Sequence, residues 1–108
     1  MKRGAGQLRR RVSLQRPTTA QDSYGEPVTT WVTAATVWAS AEPLDGRELF
    51  AAQAVHAKLT RRFVVRYRED VDNTWRVLYG GRAYHLVQDP IDVGDRRAYL
   101  ELLCEEPE

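Results

Sequence analysis

Hydrophobic residues recur at every second position through most of this chain, and that period confines it to strands. Leu8, Val12 and Leu14 alternate with Arg9, Arg11 and Ser13. In a later run Leu59, Arg61, Phe63, Val65 and Tyr67 fall on one face, interrupted only by Arg61, while Thr60, Arg62, Val64, Arg66 and Arg68 fall on the other. Ala98, Leu100, Leu102 and Cys104 alternate with Tyr99, Glu101, Leu103 and Glu105 in a last run. In a strand such alternation gathers one set of side chains on a single face. The expected fold is therefore mainly β: a small β-barrel or sandwich of about six strands with one short helix and long loops.

The clearest local signal is Gly80-Gly81, set between the runs Trp75–Tyr79 and Arg82–Val87. A Gly-Gly pair suits a two-residue hairpin because the favoured turns need positive φ. That register opposes Val77 with Tyr84 and Trp75 with Leu86 on one face, and Leu78 with Ala83 and Arg76 with His85 on the other. Pro17 is expected to end the first strand and open a breaker-rich loop to Pro27. A second strand then carries Val28, Trp31, Val32, Thr36, Val37 and Trp38, so the pair forms a long hairpin whose tip is expected to be mobile and exposed. Pro43 stops it. Leu49–Ala57 is the one good helix former, with Asp45 as N-cap and Glu48 completing a capping-box-like pair. A helix this short is not stable alone, so it is held by packing or is conformationally soft. Glu69–Thr74 and Asp89–Asp95 read as turns.

Size and charge narrow the function. The 108 residues are expected to form one domain, 1–108, with a single modest core. Net charge is +1, so no whole-protein field draws the chain to DNA or an anionic membrane. No apolar run is long enough to span a bilayer, and Met1–Gly4 leads into a charged strand and not into an apolar signal core. The single cysteine, Cys104, has no internal disulfide partner, which fits a reducing compartment such as the bacterial cytoplasm. The charge is nevertheless uneven. Lys2, Arg3, Arg9, Arg10, Arg11 and Arg16 crowd the first segment, and Glu101, Glu105, Glu106 and Glu108 the last. Opposite patches can meet across a subunit boundary, which makes Arg9, Arg11, Glu101 and Glu105 candidate intersubunit charges. The other reading makes the two end segments neighbouring strands whose charges pair or face water.

A search for chemistry finds no enzyme. His56 and His85 stand in different elements without Cys or carboxylate spacing around them, and both read as solvated side chains. Cys104 alternates with Leu100 and Leu102, as a small buried hydrophobe does. Gly80-Gly81 opens no helix, so it is neither a phosphate loop nor a dinucleotide fingerprint. No catalytic residue, metal ligand or cofactor is expected. An OB-like nucleic-acid module is conceivable, with Trp31, Trp38, Trp75, Tyr67, Tyr84 and Tyr99 as rings and Arg61, Arg62, Arg66 and Arg68 as charge. Against it, nearly all these rings occupy alternating positions where core packing is the default, and 16 bases are matched by 15 acids.

The order of short motifs resembles the small phage head-tail adaptor, or head closure (stopper), proteins. The motifs are Leu8–Pro17, Asp22–Pro27 followed by Trp31, Val37–Ala41, Pro43–Glu48 with Ala51–Gln53, Val65–Arg68, Arg76–Arg82 and Leu100–Glu105. The resemblance covers nearly the whole chain in the right order. It implies a homo-oligomeric ring in the virion neck, assembled in the host bacterial cytoplasm. Its neighbours would be a portal or adaptor ring on the head side and a tail terminator or tail tube on the tail side. Double-stranded DNA would pass through without sequence-specific binding, and no membrane would be involved. A tail terminator or other tail-side ring protein is the alternative with the same ring logic. Within this reading Asp45, Gly46, Arg47, Glu48, Phe50 and Gln53 are a candidate channel or gating segment, in which Asp45 and Glu48 either repel passing phosphate or simply cap a helix. Asp22, Ser23, Tyr24, Gly25 and Glu26 are a candidate ring–ring contact loop.

Overall fold

The computed structural model describes residues 8–44, 46–55 and 57–105. In chain order these form β1 (Arg10–Gln21), β2 (Pro27–Pro43), α1 (Gly46–Gln53), β3 (Leu59–Arg66), β4 (Arg76–Tyr79), β5 (Arg82–Leu86), β6 (Ile91–Asp92), a 3-10 turn (Val93–Asp95) and β7 (Tyr99–Glu105). All strand pairs are antiparallel and belong to one sheet of order β3-β2-β1-β4-β5-β7-β6, and β3 also pairs with β7. The sheet therefore meets itself, giving a small, mainly β, sandwich-like domain with one short helix.

Alternation sets which side of each strand is covered. Val12 and Leu14 of β1, Phe63 and Val65 of β3, Val77 of β4, Tyr84 and Leu86 of β5, and Leu100, Leu102 and Cys104 of β7 converge in one core. Phe63 lies at its centre, with no exposed surface and edge-on contacts to Tyr79 and Tyr84 at ring-centroid distances of 5.8 and 5.4 Å. Arg61, the interruption on this face, lays its guanidinium over the Tyr84 ring at 5.3 Å. The β4–β5 hairpin has the expected register, with Val77 opposite Tyr84, Leu78 opposite Ala83 and Arg76 opposite His85. Gly80 and Gly81 take φ of 60° and 80°, the left-handed values this turn needs.

Four expectations need correction. Pro17 does not end β1, which runs on to Gln21. Only Ser13–Gln15 of β1 pair with β4, so beyond Gln15 the strand has a free edge, where a residue without an N–H is tolerated. The expected long loop is accordingly a tight turn. Second, the stretch Asp89–Asp95 contains β6, whose two residues are too few to show a period. Third, α1 spans Gly46–Gln53 and stops short of the expected Ala57; Asp45 and His56 lie outside the described residues. Fourth, not all of the rings fill the core. Trp75 and Tyr84 are buried, but Trp31 and Tyr99 are only half-buried and Trp38 is 52% exposed. Val37 packs on the core, so its neighbour Trp38 must face outward.

Replacing the central ring should be costly. Phe63→Ala is expected to destabilise the fold by about 3–5 kcal/mol, read from the midpoint of urea unfolding.

Candidate interaction surfaces

Beyond Gln15 and Thr33 the β1–β2 pair leaves the body of the sheet as a two-stranded ribbon, and the molecule measures 51 × 29 × 25 Å. Residues Arg16–Gln21 alone extend about 20 Å at strand rise. A two-stranded ribbon is marginal by itself, so its base must be braced. Trp31 supplies the brace. Its ring sits under the Arg76 guanidinium at 4.3 Å and edge-on to His85 at 5.6 Å. Arg76 Nε donates to Gln15 Oε1 at 2.7 Å, and Gln15 Nε2 donates to Thr33 Oγ1 at 3.1 Å. Burial in this cluster lowers the Arg76 pKa. His85, expected to be solvated, is instead half-buried as part of the brace.

The ribbon tip holds the candidate contact residues Asp22, Ser23, Tyr24, Gly25 and Glu26, all of them exposed. The Asp22 carboxylate accepts the backbone N–H groups of Tyr24 (2.8 Å) and Glu26 (3.0 Å), and Gly25 closes the turn at φ 82°. This Asx-type turn presents Tyr24 with 91% of its surface free. Along the ribbon, Val28 and Val32 remain more than a third exposed, on the face that continues the core side of β1 and β2 past the last core residue.

The candidate gating segment is tied down electrostatically. Glu48 binds Arg62 on β3; the same guanidinium reaches Glu42 at 2.9 Å and Glu101 at 3.9 Å. Burial alone would lower the Arg62 pKa, but the hydrogen bonds with Glu48 and Glu42 and the charges of Glu101 and Glu48 outweigh it, so the pKa is raised. Glu48 is therefore engaged with the sheet. Gln53 adds one further tie, its Nε2 donating to the Leu59 carbonyl at 3.2 Å. No residue of α1 is buried; Gly46 and Arg47 are exposed, and Phe50 is 83% exposed. The helix is held to the sheet mainly by polar contacts.

The candidate intersubunit charges are dispersed. β1 lies between β2 and β4 and is not paired with β7, which removes the reading that the two end segments are neighbouring strands. Arg9 is exposed, Arg11 stacks on Trp38 at 4.8 Å, Glu101 faces Arg62, and Glu105 stands opposite His85 and Leu59. Among the described residues no three His, Cys, Asp or Glu side chains gather as metal ligands, and no helix is long and apolar enough to cross a membrane. Cys104 is fully buried, and burial raises its thiol pKa far above the usual range.

The phage head completion protein family matches residues 3–107 in sequence. The chain belongs to this family. Head completion protein gp7 of Enterobacteria phage HK97 is 30% identical over 106 residues, which is 92% of this chain and 92% of that protein. A protein from Shigella flexneri 2a, solved in solution, superposes with a TM-score of 0.78 at 32% identity, covering 96% of both chains. A chain of the native gene transfer agent virion has a TM-score of 0.59 at 20% identity, over 92% of this chain and 94% of that one, and shares the fold. The ribbon, the ion-paired helix and the braced base are thus features of a head completion protein, a structural component of the phage virion.

Two outcomes follow from this geometry. Glu48→Gln in the head completion protein should speed amide hydrogen exchange across Gly46–Gln53 while leaving β3 and β7 protected. Cys104 should resist alkylation at neutral pH in the folded protein and react on unfolding, because only the exposed thiol ionises appreciably there.

Proposed function

We propose that this head completion protein forms the homo-oligomeric ring that closes the DNA-filled head, between the portal or adaptor ring and the tail. The observation that carries the reading is the braced ribbon ending in a turn that presents Tyr24. A monomer gains nothing from an extended, exposed arm of this kind, whereas a ring subunit can use it to reach the adjoining ring. Rigid aromatic side chains on pre-organised turns suit that task, because little freedom is lost on contact. In this reading the tip, Asp22–Glu26, touches the tail-side or head-side neighbour, and the α1 segment stands near the channel. Of the candidate intersubunit charges, Arg9 and Glu105 lie at or near subunit boundaries, whereas Glu101 faces Arg62 and Arg11 lies over Trp38 within the subunit. The protein works by assembly and mechanical closure, without catalysis. Its place is the head–tail junction of the virion, where double-stranded DNA passes or is retained.

The test is electron microscopy of particles made without the protein, with packaged DNA assayed alongside. Tail-less heads that fill with DNA and then lose it are the expected result. Intact, DNA-filled, tailed particles would overturn the reading. A Tyr24→Ala variant should reproduce the tail-less phenotype while the purified protein keeps its unfolding midpoint.

A further inference from the structure

The exposed Trp38 lies within a row of side chains that the core does not use. Arg11 stands opposite Trp38 in the β1–β2 ladder, and Arg66 stands opposite Tyr99 in the β3–β7 ladder. Ala39 is opposite Val65 in the β2–β3 ladder, so one further step of that antiparallel register brings Trp38 beside Arg66. The result is a continuous row, Arg11, Trp38, Arg66, Tyr99, across β1, β2, β3 and β7. The sequence neighbours Val12, Ala39, Val65 and Leu100 point into the core, so this row points out. Arg11 and Arg66 are exposed, and two strand spacings place them about 10 Å apart at the backbone.

Three further observations give the row its chemistry. No carboxylate stands in the row of four itself; Glu101, two residues from Tyr99 along β7, is turned to Arg62, and Asp92 and Asp95 flank the turn that carries Arg96 and Arg97. The Arg11 guanidinium lies over the Trp38 indole at 4.8 Å, and a guanidinium seated on a ring face can still use its in-plane donors, the groups that bind phosphate oxygens in pairs. At the Tyr99 end Arg97 sits at a left-handed φ of 55°, its backbone N–H held by the Asp92 carboxylate at 2.9 Å, and Arg96 and Arg97 are both exposed there. Tyr67 N–H bonds the Ala98 carbonyl at 3.0 Å, which fixes this turn against the end of β3.

We propose that this outward row, Arg11–Trp38–Arg66–Tyr99 with Arg96 and Arg97 beside it, binds the phosphate backbone of duplex DNA without reading its sequence. A second copy of the chain is a poorer occupant, because its clustered carboxylates Glu42, Glu48 and Glu101 already face Arg62. The inference rests on the head-closure reading only for the source of the duplex. Binding is measured in solution, so either idea can fail while the other stands.

The experiment is fluorescence anisotropy of a short, labelled, random-sequence duplex titrated with the purified protein across a salt series. Arg11→Gln combined with Arg66→Gln should weaken binding about tenfold at low salt and reduce the slope of log affinity against log salt by about 2. The corresponding pair of Lys substitutions should keep the wild-type slope. Both pairs alter exposed side chains, and an unchanged Tm confirms that each variant is folded. Absence of binding by the wild-type protein at low salt overturns the proposal, as does equal binding by the Gln pair. A Gln pair that changes the sedimentation of the protein but not its hold on DNA also overturns it, and makes the row a protein contact.

Discussion

The pairing of β3 with β7 is the contact on which the rest of the molecule depends. It joins strands far apart in sequence order and brings Phe63 opposite Leu102 and Val65 opposite Leu100. Without it the sheet would end in two open edges and the core residues of β1, β4 and β5 would face water on one side. With it, the only long stretch of β structure left outside the closed body among the described residues is the β1–β2 ribbon. The same pairing carries Glu101 to Arg62, and Arg62 in turn holds α1, so the helix position follows from the closure of the sheet.

Much of this was legible because alternation and turn chemistry are local. The Gly80-Gly81 turn fixes the β4–β5 register by itself, and β7 buries Leu100, Leu102 and Cys104 of the four residues its alternation selects, while Ala98 lies just before the strand and is exposed. What the sequence concealed was long-range. Pro17 is a strand breaker only where both edges are used, and nothing local says that β1 loses its second neighbour at Gln15. Alternation divides a strand into two faces without saying which face is inside, so Trp38 and Trp75 look alike in sequence although one is exposed and the other buried. Glu48 reads as a capping residue because its nearest sequence neighbours suggest a helix start, while its partner Arg62 comes from a different element.

The surfaces were less legible than the fold for the same reason. A basic first segment is visible in composition, but Arg66 joins Arg11 only through two ladders, and the pairing of Trp31 with Arg76 and His85 crosses three strands. The order of short motifs pointed to the family where geometry could not, because it sums weak signals over nearly the whole chain. Geometry then supplied what the motifs lack, namely which groups are already engaged within the subunit and which are left to meet something else.

The ribbon also separates reach from stability. Its strands pair mainly with each other past Gln15, and its brace lies at the base, so length can change at the tip without disturbing the core. Inserting or deleting two residues in each strand would keep every side chain on its present face and move the tip by about 7 Å. An odd change would turn the faces over. Reach in such proteins can therefore change in discrete steps, letting one and the same body fit partners set at different heights.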